Sequence, residues 1–222
     1  MVEMQPHRRV ERVGDATLRL DDEAIVAGGT AALRDRHVIP VERLREVIDV
    51  LADDLRARTV AAYGLPDGEH VTFDLVTDKP YSGFNLYLGG FESLVTINTD
   101  LPVLSTNIAH LVAHEAYPGH HTEGCRKEAG LVRAGDRAEQ TIALIGTPAC
   151  LLAEGLADLG LEALVGPDTV GAVAPMMDAA GVNYEVEAVA AVSHFGEVTA
   201  RARGTLAVQL HSDGRSVDDV IA

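Results

Sequence analysis

The sequence LVAHEAYPGHHTEG, at positions 111–124, places His114-Glu115 shortly before His120-His121. In the common zinc motif H-E-x-x-H, two histidines four residues apart share one helical face, and the intervening Glu acts on a zinc-bound water. Here the fourth position after His114 is Pro118. Either the segment binds no zinc, or the helix is interrupted so that a later histidine comes back to His114.

Helix geometry leaves two candidates for the second histidine. On an undistorted helix His120 points about 240° away from His114, whereas His121 returns to the same face about 11 Å along the axis. Neither histidine could share an ion with His114 in that geometry, because zinc–nitrogen distances are about 2.0–2.1 Å. Pro118 lacks a backbone donor and Gly119 adopts conformations that other residues avoid, so the sequence favours a bulge here. If the bulge absorbs two residues, His120 takes the place of the second motif histidine, and His121 remains the alternative ligand.

A third ligand is expected from the helical sequence LLAEGLADLG, which carries Glu154 and Asp158. At positions i and i+4 both carboxylates lie on one helical face, and among apolar neighbours their charge needs a compensating partner such as zinc. Glu154 would then be the third ligand of one Zn²⁺ ion, and Asp158 would accept the N–H of a ligating histidine. Four leucines are expected to bury the rest of this helix: Leu151, Leu152, Leu156 and Leu159.

Two other side chains have metal-ligand chemistry at a suitable spacing. His110 lies four residues before His114, which makes it an alternative ligand, although Glu115 would then lie outside the histidine pair. Cys125 lies one turn after His121, but a carboxylate ligand fits the pattern better than a soft thiolate.

HEAYPGHH together with EGLADLG resembles the bacterial domain-of-unknown-function 885 family, zinc metallopeptidases related to the gluzincins. The resemblance is strongest from about Glu69 to Gly166, where YLGG, INTDLP and TEGCRKE also match, and it is weaker through LHSDGRSVDD. Members of this family are usually much longer, so the resemblance predicts that the chain is a fragment of a longer protein.

The resemblance implies a zincin-like helical fold and a role for each motif residue. His114 and His120 would be zinc ligands, Glu154 the third ligand, and Glu115 the general base. In gluzincins the strand before the metal helix pairs with an extended substrate, so the resemblance makes FESLVTINT the candidate substrate-binding strand.

The chemistry of these residue types agrees with a hydrolase. Zinc with an open coordination position lowers the pKa of a bound water to about 7 and polarises a carbonyl group. Glu115 could take the proton from that water and pass it to a leaving amine. The sequence does not choose the residue that stabilises the oxyanion among four candidates: Tyr117, Tyr184, His194 and His211.

The elements that must position these residues follow from hydrophobic periodicity. Apolar residues at helical spacing predict an amphipathic helix from Pro40 to a stop at Gly64 and Pro66. Alternating residues then predict two strands around 71–75 and 84–88, and Gly89-Gly90 has the form of a two-residue hairpin turn into FESLVTINT. Asp100 is predicted to cap the following helix, which carries His110 and His114 and has Pro102 in its first turn.

The rest of the chain is predicted to be helical. The segments are TEGCRKEAGLV, RAEQTIALIG, CLLAEGLADLGLEALVG, the run from Tyr184 to about Leu210, and a short C-terminal helix capped by Ser216 with Asp219. The fold class is therefore mainly α with a small antiparallel β-sheet (α+β). Residues 1–39 are an N-terminal segment with a turn at AGGTAA, and residues 40–222 are one helical domain with a β-hairpin insert at about 69–99.

Composition excludes several classes of partner. Eighteen Lys and Arg against 34 Asp and Glu give a net charge of −16, which argues against nucleic acid and anionic membrane surfaces. Two cysteines without C-x-x-C spacing and the lack of an apolar run of about 18 residues indicate a cytoplasmic protein with reduced thiols. A peptide or a small amide is the expected substrate, and the oligomeric state is not assigned.

Two rival hypotheses remain open at this point. The chain could be a non-catalytic helical binding module whose zinc is structural or vestigial, or a truncated and inactive piece of an active enzyme. An open coordination position would distinguish an enzyme from a module, because structural zinc sites are closed by four protein ligands. The native metal could be manganese or cobalt instead of zinc.

Overall fold

The computed structural model describes residues 31–221. Most of the N-terminal segment 1–39, including the start of the turn predicted at AGGTAA, lies outside the described residues. Residues 31–36 are helical (α1). The described chain is mainly helical with a small three-stranded sheet, so the predicted α+β class is confirmed.

The first long helix, α2 (Val41–Tyr63), forms the centre of the hydrophobic core. Pro40 precedes its first turn, and Gly64 ends it with a positive φ of 68° while its N–H still bonds to the Val60 carbonyl. Both boundaries agree with the sequence prediction. The face of α2 that packs against the other helices consists of Leu44, Val47, Ile48, Leu51 and Leu55, all fully buried.

The sheet consists of β1 (His70–Val76), β2 (Gly83–Gly89) and β3 (Glu92–Asn98) in the order β1-β3-β2. The β2–β3 pair is the predicted antiparallel hairpin, but β1 runs parallel to β3, so the sheet is mixed instead of wholly antiparallel. Residues 77–82 carry the chain past the position of β3 to the far edge, and β3 then returns between the two earlier strands. Period-two alternation identifies strands but not their neighbours, which explains the difference.

The hairpin turn lies one residue later than predicted. Gly89 pairs with Glu92, so the two loop residues are Gly90 and Phe91, both with positive φ. Phe91 holds this unusual conformation with support from outside the hairpin. The Glu128 carboxylate accepts both loop N–H groups, and the Arg133 guanidinium lies 4.2 Å from the centre of the Phe91 ring.

The remaining elements follow the sheet in chain order. They are α3 (Ser105–Glu115), α4 (His120–Lys127), a π-helical turn (Glu128–Arg133), a 3₁₀ turn (Ala138–Thr141), α5 (Pro148–Val165), α6 (Thr169–Ala179), α7 (Val186–His211) and α8 (Val217–Ile221). The predicted cap of α8 is present, because the Ser216 hydroxyl accepts the Asp219 N–H at 3.1 Å.

Two local predictions were wrong. The carboxylate of Asp100 does not cap α3, which begins at Ser105; it accepts the N–H groups of Asp78 and Lys79 in the β1–β2 connection. The sequence RAEQTIALIG forms only the short 3₁₀ turn at Ala138–Thr141, and the next helix, α5, begins at Pro148, with the Thr147 hydroxyl accepting the Cys150 N–H. The partners of Asp100 lie 21 and 22 residues earlier in the chain, and hydrophobic periodicity does not indicate such contacts.

The packing face of α5 also differs from the prediction. Leu151, Leu152, Leu156 and Leu159 are 58–75% exposed. The helix instead buries the face that contains Ala157, Gly160 and Leu161. α5 is apolar around most of its circumference, so its hydrophobic pattern could not indicate which side faces the core.

Both cysteines are free thiols, Cys125 buried and Cys150 partly buried. Of the helices in the described part of the chain, none combines the length and the apolar character that a membrane span requires.

The two kinds of leucine should respond differently to truncation. Leu51→Ala in α2 removes a fully buried side chain and should lower the free energy of unfolding by about 2–5 kcal/mol. Leu156→Ala in α5 should change it by less than about 0.5 kcal/mol, because that side chain is already solvated. Urea unfolding of both variants checks this, and a loss at Leu156 comparable to that at Leu51 would show that α5 is buried.

Candidate metal centre

A break between α3 and α4 carries the histidine motif. The hydrogen bonds on either side of it are ordinary i to i−4 helical bonds, but Gly119 N–H donates to the Ala113 carbonyl at 2.9 Å and Thr122 N–H to the Ala116 carbonyl at 3.3 Å. Each of these two bonds spans six residues. The predicted bulge is therefore present, and it absorbs two residues relative to a continuous helix.

Gly119 makes this close turn possible. A Cβ atom built at Gly119 would lie 1.8 Å from the His114 carbonyl oxygen, a distance that no side chain could tolerate. A second glycine, Gly160 of α5, lets that helix approach the break, since a Cβ there would lie 3.2 Å from Pro118 Cγ. Gly119 thus permits the close backbone turn, and Gly160 permits close packing of α5 against the Pro118 ring.

The break brings His114 and His120 together. Their ring centroids are 4.8 Å apart, and the rings are nearly perpendicular. Glu154 of α5 lies between them, with Oε2 3.4 Å from His114 Nε2 and Oε1 3.6 Å from His120 Nε2. One candidate ligand atom from each of the three residues can be chosen so that all lie within 4.8 Å of one another.

These separations fit a tetrahedral zinc site. Zinc–ligand bonds of about 2.0–2.1 Å at tetrahedral angles place neighbouring ligand atoms about 3.3 Å apart, close to the observed histidine–carboxylate distances. Two imidazoles and one carboxylate are also a ligand set that zinc accepts in catalytic sites. The residues present therefore fit the ion that the sequence predicts.

Asp158 contacts the opposite side of the His114 ring. Its Oδ1 lies 3.0 Å from His114 Nδ1 and 3.7 Å from His110 Nε2. An N–H at His114 Nδ1 directed at this carboxylate leaves the Nε2 lone pair facing Glu154, which is the tautomer that a metal ligand needs. His110, the alternative ligand, thus lies on the Asp158 side of His114, where His110, His114 and Asp158 form a second group of possible ligands.

The two carboxylates of α5 are more exposed to solvent than their apolar neighbours in the sequence suggested. The side chains of Glu154 and Asp158 are 53% and 65% exposed, so water solvates their charges and no ion is needed to compensate them. The geometry of the ligand atoms, and not the burial of the carboxylates, therefore supports metal binding.

Glu115 occupies a different environment from the ligands. It is only 6% exposed, its backbone carbonyl accepts the Asn85 side-chain N–H at 2.6 Å, and a Cβ at Gly83 would lie 3.0 Å from its Oε1. Burial raises the pKa of Glu115, while the nearby charges of His114 and His120 act in the opposite direction. Glu115 is thus a buried carboxylate between α3 and β2, close enough to the histidines to interact with them electrostatically.

His121 points away from this cluster. It is fully buried, with Nε2 2.9 Å from Glu69 Oε2 and Nδ1 2.8 Å from the Ser93 hydroxyl. Cys125 lies against the same ring, with Sγ 3.4 Å from Nε2, and burial raises the pKa of its thiol to about 12. Of the two candidates for the second ligand, the structure brings His120 to His114 and sends His121 to the opposite side.

Glu69 and Ser93 were not recognised in the sequence. Ser93 occurs only within FESLVTINT, where the sequence gives it no role of its own, and Glu69 lies alone before a strand. An acidic residue directly ahead of an apolar strand was the one available signal, and many surface residues share it.

The oxyanion candidates have different locations. The Tyr117 hydroxyl donates to Glu69 at 2.7 Å and is buried, so it is engaged away from the cluster. Tyr184 packs against the hydrophobic core, where burial raises its pKa to about 12, and His211 is exposed at the end of α7. The side chain of His194 lies outside the described residues.

The position of β3 changes the expectation for the substrate. FESLVTINT forms the central strand, whose backbone pairs with β1 on one side and β2 on the other. A substrate strand could not add to it. The sheet edge beside the cluster is β2, which contacts both α3 and α4.

Comparisons with protein-family models, curated proteins and solved structures give no match for this chain. The geometry of the site is therefore the basis for assigning a function.

The close contact at Gly119 generates a prediction. Gly119→Ala forces a Cβ against the His114 carbonyl and should lower the free energy of unfolding by about 1–3 kcal/mol or more. Gly130→Ala is the matched control, because a Cβ at Gly130 would meet no atom within 4 Å, and its effect should stay below about 1 kcal/mol. Equal stabilities of the two variants in urea unfolding would show that the His114 carbonyl does not lie against position 119.

Proposed function

We propose that this protein is a zinc-dependent hydrolase, a metallopeptidase of the gluzincin-like type that its motifs resemble. The observation that carries the proposal is the convergence of His114, His120 and Glu154 across the helix break at distances suited to one zinc ion. Glu115, next to a ligand in the chain and buried beside the cluster, supplies the general base. Its position supports catalysis over a purely structural ion.

The proposed mechanism assigns one task to each side chain. His114 Nε2, His120 Nε2 and a Glu154 oxygen hold the ion, which when bound supplies Lewis acidity for the attacking water and the scissile carbonyl. Asp158 holds the proton on His114 Nδ1 and so keeps the ring in the ligating orientation. The Glu115 carboxylate accepts the proton of the attacking water and delivers it to the leaving amine.

The edge strand β2 is the proposed binding surface for an extended peptide. Within residues 31–221 no strand pairs with its outer edge, and its first residue, Gly83, approaches Glu115. Tyr87 of β2 packs closely over Gly124 of α4, which holds the strand against the motif helices. A peptide backbone added to this edge would pass beside the candidate base, as β-strand addition requires.

A cytoplasmic location completes the proposal. The free thiols of Cys125 and Cys150 suit a reducing compartment.

Metal content and turnover test the proposed roles together. Protein purified without chelator or affinity-tag metal should contain about one zinc per chain, and His114→Ala, His120→Ala and Glu154→Ala should each lose it. Glu115→Gln should keep the zinc but lower kcat on a peptide identified in a library screen by about 10²–10⁴-fold. Mass spectrometry gives the zinc content, and peptide cleavage gives the rate.

His70→Ala is the matched control, because this exposed histidine lies at the start of β1 and should affect neither zinc nor turnover. A wild-type chain that takes up no zinc, even when zinc is offered, would contradict the proposal. Full turnover in Glu115→Gln would contradict the role of the general base.

Hydrogen exchange tests the proposed substrate strand. A cleavable peptide added to zinc-loaded Glu115→Gln protein should slow exchange at backbone amides of β2 that do not pair with β3. The other edge strand, β1, is the internal control and should be unaffected. Protection at β1, or at neither edge, would show that the peptide binds elsewhere.

A further inference from the structure

The carboxylate of Glu69 is the centre of a buried polar cluster outside the ligand set. Its side chain is 0% exposed. Oε1 accepts a hydrogen bond from Arg56 Nε. Oε2 accepts two, from Tyr117 Oη (2.7 Å) and from His121 Nε2 (2.9 Å). A buried carboxylate is costly unless it is paired and fully hydrogen-bonded. Burial raises the pKa of Glu69, but the three donors outweigh it and hold the pKa below its ordinary value.

Two donors to Glu69 belong to the segment that carries the helix break. Tyr117 lies within the break, and His121 lies in the first turn of α4. Arg56 belongs to α2, and the Ser93 hydroxyl of β3 is hydrogen-bonded to His121 Nδ1 at 2.8 Å. Glu69 therefore connects the break and the start of α4 to a core helix, and His121 extends the cluster to the central strand of the sheet.

His120 lies between the two anchored residues. Successive side chains on a helix are separated by about 100°, so holding His121 inward toward Glu69 turns His120 toward the other side of the first turn of α4. That side is where His114 and Glu154 lie. The orientation of the second ligand thus depends on the partner of its neighbour.

Glu69, His121 and Ser93 also have the residue types of a catalytic triad. Their burial argues against that role, because His121 is 0% and Ser93 2% exposed, and a substrate could not reach the serine. A dry, fully hydrogen-bonded cluster is suited to fixing geometry.

We propose that Glu69 is a positioning residue for the candidate metal centre: its bonds to Tyr117 and His121 fix the helix break so that His120 meets His114. The part of this inference that concerns metal affinity depends on the proposed function. The part that concerns the geometry of the break does not, and it can be measured without metal.

Glu69→Gln is the informative variant. Glutamine keeps the shape but has one oxygen and one NH₂ group, so either Arg56 or the Tyr117–His121 pair would face a donor instead of an acceptor. Tyr117→Phe removes a single hydroxyl from the same cluster and serves if Glu69→Gln folds poorly. Val47→Ala is the matched control, since it truncates a fully buried residue of α2 whose apolar side chain cannot hydrogen-bond to Glu69.

The first readout is amide hydrogen exchange in metal-free protein. In Glu69→Gln and Tyr117→Phe, the Gly119 and Thr122 amides, which form the two bonds across the break, should exchange at least about tenfold faster relative to the buried amides of α2. In Val47→Ala this ratio should not rise. An unchanged ratio in both cluster variants would overturn the inference, whether or not the wild type binds zinc.

The second readout is zinc affinity, measured by competition with a chromophoric chelator under conditions where each variant is folded. Glu69→Gln should raise the Kd for zinc by about 10–100-fold, the size expected for loss of an orienting partner, while Val47→Ala should leave it unchanged. An equal rise in Val47→Ala would reduce Glu69 to a stability role and overturn the inference. Absence of zinc binding in the wild type would refute the proposed function alone, and the exchange ratio would still decide the role of Glu69.

Discussion

The six-residue hydrogen bonds across the break between α3 and α4 are the constraint on which the candidate centre depends. In a continuous helix, His114 and His120 would point in different directions. The bonds from Gly119 to Ala113 and from Thr122 to Ala116 take up two residues and reverse that outcome. Only glycine fits at position 119, because the backbone of His114 occupies the space that a side chain would need.

The two consecutive histidines after the break face two contrasting environments. His121 lies in a buried cluster in which both of its ring nitrogens have partners, whereas His120 faces the half-exposed carboxylate of Glu154. The buried cluster around His121 provides rigidity, since a buried hydrogen-bond network tolerates little displacement. The exposed surface around His120 and Glu154 gives a substrate access to the candidate metal centre.

Local chemistry explains why part of this arrangement could be predicted from the sequence. The helix α2, the strands and the break all follow from patterns within a few residues, such as periodicity, proline and glycine. The choice of His120 over His121 was left open, because it depends on whether the break absorbs two residues. The break also packs against a distant part of the chain, because Gly160 of α5 lies close to Pro118.

Several features that the sequence did not predict depend on tertiary partners. The parallel pairing of β1 with β3, the bonds of Asp100 to the β1–β2 connection and the exposed leucines of α5 are examples. Glu69 belongs to the same class, because its three donors come from residues up to 52 positions away. The local sequence of the break determines the approximate position of His120. The orientation of the His120 side chain depends on the carboxylate of Glu69, which belongs to no motif. Preorganised ligands of this kind lower the ordering cost of binding an ion, so the residues that anchor a motif can matter to a site as much as the motif itself.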